Sequence, residues 1–387
     1  MPHATSTDIR VTPIDPGKGS NVRFGATIEG VDLNNVDDET FQSLKTIIFT
    51  NQLVIFKGQE ALTPQKHFNF VQRFDPNAPP VHGHGTIETV KKQHKGNASL
   101  LAAITVLSIP GVPGVRLVGA GYQGDDHYGL KEVDFVTSTI LNTHAAPPTA
   151  EEIANGITRF GRWHIDCAMY DKEPPRVTAL RALTLPRGPP QTLRWDDGSG
   201  TEIKVSPGLT AFYSCEQLYE MLTPEERAFA DNSRVAYAPH PYMWISRCKQ
   251  DSLGMTIPQG QGKELAADEM PPVEESKLKE YPMVWHNEVT GKPAFMVHSI
   301  IAQKLLLKDS PEAHVRIVDD VDEVRAWLNK IHRRMLEPEN ILVAPYEEGD
   351  VAIWNNRCMQ HTFIEYPASY GPRTMHQVNL PASIPPS

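Results

Sequence analysis

The segment His164-Ile165-Asp166 places a histidine and an aspartate two positions apart in a predicted β-strand. Residues i and i+2 of a strand point to the same face, so both side chains can converge on one point. Two histidines and one carboxylate on one face of an octahedron suit an iron(II) oxygenase, because three coordination positions stay free. The third ligand would be a distant histidine at a strand end. His361 fits this position because it follows a turn, a buried strand and a polar tip.

Arg373 supplies a second part of such a site. It lies twelve residues after His361, at the start of the last predicted strand. A guanidinium is a planar fork that pairs bidentately with carboxylates, and an oxygenase of this kind needs an anchor for the far carboxylate of 2-oxoglutarate. Taken singly, Arg373 is equally explained as a surface charge. The His-x-Asp pair alone is a weak signal, since 15 histidines produce some such pairs by chance.

The last predicted strand carries further polar residues of one parity. Arg373, Met375, Gln377 and Asn379 should share one face of a regular strand. If Arg373 points inward, two amides point inward with it, and buried amides are costly without partners. Each amide offers donors and an acceptor in one plane, which suits the edge of a heterocycle. The alternative is that these amides satisfy backbone groups at the end of the barrel.

The elements that would position these residues are mostly strands. Many strands with few helices in one unit predict a mainly β fold, a jelly-roll type barrel with helical decoration. We expect a flexible arm over 1–22 and a single catalytic domain over 23–387. A loop-rich insertion is predicted over about 76–158, and a helical and loop insertion over about 225–340. Helix starts are predicted at Asp38, at Thr63-Pro64, at the capping box Thr223–Glu226 and near Val321, and a hairpin around 192–208.

Composition limits the class of protein. A formal net charge of −10 gives no electrostatic support for nucleic-acid binding, although a locally basic pocket could still accept a small anion. No apolar run approaches a membrane span, and the N-terminus lacks a signal-peptide pattern. The four cysteines lie far apart with no CxxC pair, which favours reduced thiols. The prediction is a cytoplasmic protein with a small-molecule substrate, and a homo-oligomer is compatible with it. The pair His82 and His84 is better explained as part of a mobile loop than as a second metal site.

Several segments, in the same order along most of the chain, resemble the taurine dioxygenase and 2,4-D dioxygenase family. They are FGATIEGVDL, QLVIFKGQEALTPQKHFNFVQRFDP, WHID, PPRVTALRALTLP, TAFYSCEQLYEML, GDVAIWNNRCMQH and PRTMHQ. The resemblance implies a clavaminate synthase-like double-stranded β-helix (jelly roll). It implies His164, Asp166 and His361 as Fe(II) ligands, with 2-oxoglutarate and O2 as co-substrates. It implies that Arg373 and Thr210 bind 2-oxoglutarate. The longer 192–208 hairpin leaves Thr192 as the alternative to Thr210.

Within that family, RWHID, NNRCMQHTF and HQVNLP resemble the fungal branch that hydroxylates xanthine at C8 to uric acid. This resemblance implies Gln377 and Asn379 as purine contacts, with Lys131 and Glu152 as weaker candidates. A solvated surface role is the alternative for either of those two. Two other functions stay open at this point. One is the same chemistry on a sulfonate or aryloxyalkanoate, and the other is a non-catalytic jelly-roll protein that retains a metal.

Overall fold

The computed structural model describes residues 9–80, 106–135, 140–256 and 264–387. The pair His82 and His84 lies outside these ranges. The strands are β1 Arg10–Pro13, β2 Ala26–Glu29, β3 Leu53–Phe56, β4 Val106–Ile109, β5 Val112–Tyr122, β6 Asp126–His127, β7 Leu130–Lys131, β8 Asp134–Phe135, β9 Ile157–Thr158, β10 Val177–Thr184, β11 Gln191–Arg194, β12 Glu202–Val205, β13 Thr210–Ser214, β14 Arg234–Tyr237, β15 Glu280–Pro282, β16 Val284–His286, β17 Pro293–Phe295, β18 Ala302–Leu307, β19 Arg316–Val318, β20 Leu342–Val343, β21 Val351–Asn355, β22 Met359–Phe363 and β23 Arg373–Val378.

Helices are fewer and shorter than the strands. The α-helices are Asp38–Asn51, Pro64–Gln72, Ile140–Thr143, Ala150–Ala154, Cys215–Glu220, Pro224–Asn232, Pro241–Trp244 and Val321–His332. The 3-10 helices are Ala267–Glu269, Glu275–Lys277, Ser299–Ile301, Arg333–Met335, Pro338–Asn340 and Ala368–Tyr370. The predicted helix starts are confirmed. Thr63 caps the second helix with Pro64 at its first position, and Thr223 with Glu226 forms the capping box.

A nine-stranded sheet forms the larger wall of the jelly roll. Its order is β1-β2-β3-β21-β10-β23-β5-β4, with β8 also paired to β5. The two faces of this sheet carry different residues. Val177, Ala179 and Val378 pack toward the helices 38–51 and 64–72, whereas Leu180 and Met375 pack toward the barrel interior. The mainly β prediction is therefore confirmed, and the even positions of β10 and the odd positions of β23 face inward.

The smaller wall is the three-stranded sheet β20-β13-β22. Phe212 of β13 and Met359 of β22 join Trp354 and Met375 of the large sheet in one buried cluster. That cluster fills the space between the two walls. The predicted 192–208 hairpin is confirmed as β11 and β12, which pair antiparallel with Gln191 opposite Val205.

Three segments differ from the predicted organisation. Residues 10–13, inside the expected arm, form the edge strand β1 along β2. The described part of the 76–158 insertion contains β5, which pairs with β23 in the large sheet. The 225–340 insertion contains the four-stranded sheet β15-β14-β18-β19 and the β16–β17 pair in addition to helices. Short strands with mixed polarity, such as RIV in β19, carry little periodicity, so their pairing depends on tertiary contacts.

Candidate active site

The segment 164–166 meets β22 through one bridge between the two strands of chain. His164 and His361 form an antiparallel bridge in which each backbone N–H donates to the other's carbonyl at 3.0 Å. Asn356 holds the next turn of chain, since its side-chain oxygen accepts from the Asp166 N–H at 3.0 Å. Backbone pairing therefore brings together two histidines that are far apart in sequence.

The three predicted ligands form one cluster. His164, Asp166 and His361 each offer an atom, and these atoms lie within 4.8 Å of one another. The Nε2 atoms of His164 and His361 lie 3.9 Å and 3.7 Å from Asp166 Oδ1. His164 Nδ1 lies 2.8 Å from the Arg162 carbonyl. Donation along that bond requires the proton on Nδ1, which leaves the Nε2 lone pair for a metal.

The protonation states suit metal binding. Burial and the neighbouring His164 lower the pKa of His361 to about 3, against the opposing effect of Asp166, so the imidazole is neutral. Burial by itself raises the pKa of Asp166, but His361, His164, Arg116 and a hydrogen bond from Thr178 together lower it to about 2. A neutral imidazole and a carboxylate are the forms that coordinate a cation.

The second oxygen of Asp166 is held from the large sheet. Oδ2 accepts from the Thr178 hydroxyl at 2.8 Å and from Gln377 Nε2 at 3.2 Å. On the other side, the His361 ring stacks on Phe212 with centroids 5.8 Å apart and contacts Trp354 at 4.8 Å. Trp354 therefore belongs to the core, as the sequence favours, and also fixes one ligand ring.

Arg373 lies at the other end of the inner face of β23. Its Nε donates to the Gly208 carbonyl at 2.7 Å, and its Nη2 donates to the Tyr346 hydroxyl at 3.3 Å. Thr210 Oγ1 lies 2.9 Å from the same hydroxyl. Among the described residues no carboxylate pairs with this buried guanidinium. A buried cation without an anion fits a site for the far carboxylate of 2-oxoglutarate.

Gly208 allows this arrangement. Its φ is +73°, and a Cβ there would lie 2.6 Å from the ring of Pro186 and 3.4 Å from Arg373 Cδ. Any other residue would collide with Pro186 and strain the backbone whose carbonyl accepts from Arg373. Thr192, the alternative to Thr210, lies in β11, and its hydroxyl accepts from Lys204 Nζ at 2.5 Å. The structure therefore brings Thr210, not Thr192, to Arg373.

Gln377 and Asn379 extend the inner face toward the metal ligands. The Gln377 oxygen accepts from Arg116 Nη2 at 2.8 Å, and the Asn379 oxygen accepts from the same nitrogen. Arg116 lies in β5 directly opposite Gln377. Burial lowers the pKa of the Arg116 guanidinium, although Asp166 and Tyr242 oppose this effect. The guanidinium remains a cation.

Sequence reasoning missed Arg116 and Tyr346. Arg116 lies in the segment predicted to be a loop-rich insertion, although Val115 to Val118 is predicted as a strand within it. Tyr346 follows the two-residue β20 in an irregular stretch that carries no motif. The parity of a strand from Val115 could have placed Arg116 on one face, but only the pairing with β23 shows that this face is the pocket.

Lys131 and Glu152 have other partners. Lys131 is exposed and forms an ion pair with Asp126. Glu152 closes the capping box on Thr149 and forms an ion pair with Arg194 at 2.6 Å. These contacts give both side chains structural roles.

Comparison with known proteins agrees with this geometry. The family model described as taurine catabolism dioxygenase TauD, TfdA family matches residues 116–379, which is more than half of the chain. The chain belongs to the TauD/TfdA family. This TauD/TfdA dioxygenase uses Fe(II), 2-oxoglutarate and O2, and the relatives described below are dioxygenases, which sets aside the non-catalytic alternative.

The relatives span the whole molecule. An alpha-ketoglutarate-dependent dioxygenase of Alternaria brassicicola is 38% identical, covering 98% of this chain and 96% of its own. An alpha-ketoglutarate-dependent xanthine dioxygenase of Schizosaccharomyces pombe is 39% identical, covering 100% and 91%. Among solved structures, AAD-2 in complex with Mn(II) and N-oxalylglycine has a TM-score of 0.56 at 13% identity, covering 98% of each chain, which shows the shared fold. In the described part of this dioxygenase, no helix has the length and apolarity needed to cross a membrane.

Proposed function

We propose that this dioxygenase hydroxylates xanthine at C8 to uric acid, with oxidative decarboxylation of 2-oxoglutarate. The observation that carries the proposal is the polar inner wall of Gln377, Asn379 and Arg116 directly beside Asp166. These groups bond one another and Asp166, and an apolar substrate would cover the Arg116 charge without offering an acceptor to it, which costs binding energy. An oxopurine offers alternating N–H and C=O groups to the same wall.

The full-length relatives support this substrate. Three fungal relatives at 36–39% identity are named xanthine dioxygenases. The reaction balances as xanthine, 2-oxoglutarate and O2 giving uric acid, succinate and CO2. One oxygen atom enters the C8–H bond of xanthine and the other enters the new carboxylate of succinate. The two electrons from the C8–H bond and the two from decarboxylation reduce O2 completely.

We propose His164, Asp166 and His361 as the residues that hold iron. When bound, the metal supplies the oxygen activation and the oxidising power for the C–H bond. Arg373 and Thr210 would bind the far carboxylate of 2-oxoglutarate, with Tyr346 orienting both. Phe212 and Trp354 fix the His361 ring and keep bulk water from that side of the site. Thr178 and Gln377 hold Asp166 as the carboxylate.

A second candidate substrate class is a sulfonate or an aryloxyalkanoate. The observation that favours it is Arg116, a largely buried cation on the pocket wall with no ion pair among the described residues. A small organic anion would neutralise that charge. This candidate keeps the iron and 2-oxoglutarate chemistry and changes only the group that is hydroxylated.

A succinate-release assay separates the two classes. The purified protein is incubated with Fe(II), ascorbate, 2-oxoglutarate and either xanthine, hypoxanthine, taurine or phenoxyacetate, and uric acid is measured in parallel. We expect succinate and uric acid in equal amounts with xanthine. The proposal fails if xanthine leaves succinate release unchanged while taurine or phenoxyacetate raises it. An Asp166→Ala protein made in the same way controls for free iron chemistry.

We further propose a cytoplasmic location. Cys167, Cys215, Cys248 and Cys358 are all buried free thiols, and burial raises the pKa of each one. Unreactive thiols without disulfides fit a reducing compartment.

A further inference from the structure

We propose that Arg116 is the specificity-determining residue of the pocket and that it selects substrates that carry a negative charge. For xanthine this charge lies on the ionised N–C–O unit of the weakly acidic oxopurine. The inference rests on the proposed position of the substrate beside Asp166. It changes the role of Gln377 and Asn379 from direct readers of the substrate to the residues that orient Arg116.

The hydrogen bonds of the two amides lead to this assignment. Gln377 accepts from Arg116 through its oxygen and donates to Asp166 Oδ2 through its nitrogen. Asn379 also gives its oxygen to Arg116. Both acceptors on the wall are therefore in use before any substrate binds. Only one arginine nitrogen, Nη2, makes these two bonds.

The charge of Arg116, rather than a free pair of parallel donors, is what a ligand can use. Both two-donor edges of a guanidinium include Nη2, and this nitrogen already bonds Gln377 and Asn379. Nε and Nη1 lie on different edges and make no hydrogen bond among the residues that the structure describes. A ligand would therefore pair with this cation through its negative charge and single hydrogen bonds.

Charge points to an anion rather than a neutral acceptor. Asp166 is the acidic side chain that interacts with Arg116, but its oxygens face the two histidines, Thr178 and Gln377. Tyr242 also interacts with both Asp166 and Arg116, and burial raises its pKa, so it stays neutral. A partly buried cation that has no ion pair among the described residues gains most from a ligand that brings the negative charge.

Substrate binding can be measured without turnover. The protein is loaded with Mn(II) and N-oxalylglycine, and the Kd of xanthine is determined by calorimetry for wild type, Arg116→Gln and Arg116→Lys. Loss of one charge-assisted pair predicts about a 10- to 100-fold higher Kd for Arg116→Gln. Arg116→Lys keeps the charge and should bind more tightly than Arg116→Gln. The Kd of N-oxalylglycine should stay the same in all three proteins.

Arg181→Gln is the matched control. Arg181 is also a buried arginine of the large sheet, but on the helix-facing side it donates to the backbone carbonyls of Glu60 and Leu62. It should lose thermal stability without losing xanthine affinity. If Arg116→Gln binds xanthine as well as wild type, or better than Arg116→Lys does, the inference is overturned while the proposed function stands.

The experiment also separates a wrong substrate from a wrong role for Arg116. If wild type binds phenoxyacetate or taurine instead of xanthine, and Arg116→Gln loses that affinity, the inference stands and the proposed substrate is wrong. If the affinity for N-oxalylglycine falls together with that for the substrate, Arg116 serves the co-substrate or the fold, and the inference is overturned.

Discussion

The inner face of β23 has a cation at each end, and the two are held in different ways. Arg373 is held by a backbone carbonyl and a tyrosine hydroxyl, whereas Arg116 is held by two side-chain amides. We call the first group, Arg373, Thr210 and Tyr346, the co-substrate end, and the second, Arg116, Gln377 and Asn379, the substrate end. One of the two contacts that hold Arg373 comes from the backbone, whereas both contacts that hold Arg116 come from side chains. Amide contacts can be altered by single substitutions.

Asp166→Ala should have the largest effect because this residue serves both the proposed metal site and the substrate end. It removes a proposed metal ligand and the acceptor that holds Gln377 at the substrate end. We expect activity to fall to background, and Mn(II) affinity to fall by more than the roughly 10- to 100-fold typical of lost ligand-supporting contacts. Calorimetric Mn(II) titration checks this. Unchanged Mn(II) affinity would remove Asp166 from the metal site.

Arg373→Gln should break the co-substrate end alone. Removing a buried charge-assisted pair costs about 3 kcal/mol, which corresponds to roughly a 100-fold higher KM for 2-oxoglutarate. The KM for xanthine should change little because the Arg116 contacts remain. Steady-state kinetics with each substrate varied in turn provides the measurement, and Arg373→Lys, which keeps the charge, is the matched control. A rise confined to the KM for xanthine would reverse the assignment of the two ends.

Comparing Thr210→Val with Thr192→Val tests which threonine belongs to the co-substrate end. Loss of one neutral hydrogen bond costs about 1 kcal/mol, or roughly a fivefold higher KM for 2-oxoglutarate. Thr210 lies 2.9 Å from the Tyr346 hydroxyl that contacts Arg373, so we expect the effect there. Thr192 contacts Lys204 instead and should leave this KM unchanged. Equal effects of the two variants would contradict the assignment.

Glu226→Gln lies outside both ends and should alter stability only. Gln keeps the capping box but loses the two-pronged ion pair with Arg334, so we expect a loss of roughly 0.5–1 kcal/mol at neutral pH. Arg334 lowers the pKa of Glu226 from 4.5 to about 2, assisted by Thr223 and opposed by burial. The ion pair therefore stabilises the fold above pH 4.5, and this contribution disappears as the pH falls toward 2.

Denaturant unfolding of wild type and Glu226→Gln between pH 7 and pH 3 tests the direction of this pH dependence. The difference in unfolding free energy between wild type and Glu226→Gln should shrink as the solution becomes more acidic. A difference that grows toward low pH would show that the ion pair is not its source. A change in the KM for 2-oxoglutarate or for xanthine in this variant would show that the helix 224–232 is coupled to the pocket.

Part of this site was predictable because its signals are local. The i and i+2 spacing correctly brings His164 and Asp166 together, although the structure has an isolated bridge at His164 in place of the predicted strand. The alternation from Arg373 to Gln377 needs only a regular strand, and β23 provides it. The helix caps at Thr63 and Thr223 are equally local.

The remaining parts depend on contacts between distant segments. Arg116 reaches the pocket only because β5 pairs with β23. No sequence feature near Arg116 predicts the register of that pairing. Tyr346 reaches Arg373 from an irregular stretch, where no periodicity indicates its direction. Lys131 and Glu152 show the opposite case. Their positions before His164 suggested a role in the site. In the structure Lys131 pairs with Asp126 and Glu152 pairs with Arg194, and the sequence does not indicate these ion pairs.

The ladder between β5 and β23 has a consequence for how such a pocket diversifies. Ala120 lies opposite Arg373, and Arg116 lies opposite Gln377. Four residues of strand separate the two backbone positions by roughly 13 Å. The register of this strand pair therefore limits the combined length of 2-oxoglutarate and the substrate. A substitution at position 116 would change the substrate preference toward another compound of similar length. It would leave Arg373 at the co-substrate end unaffected.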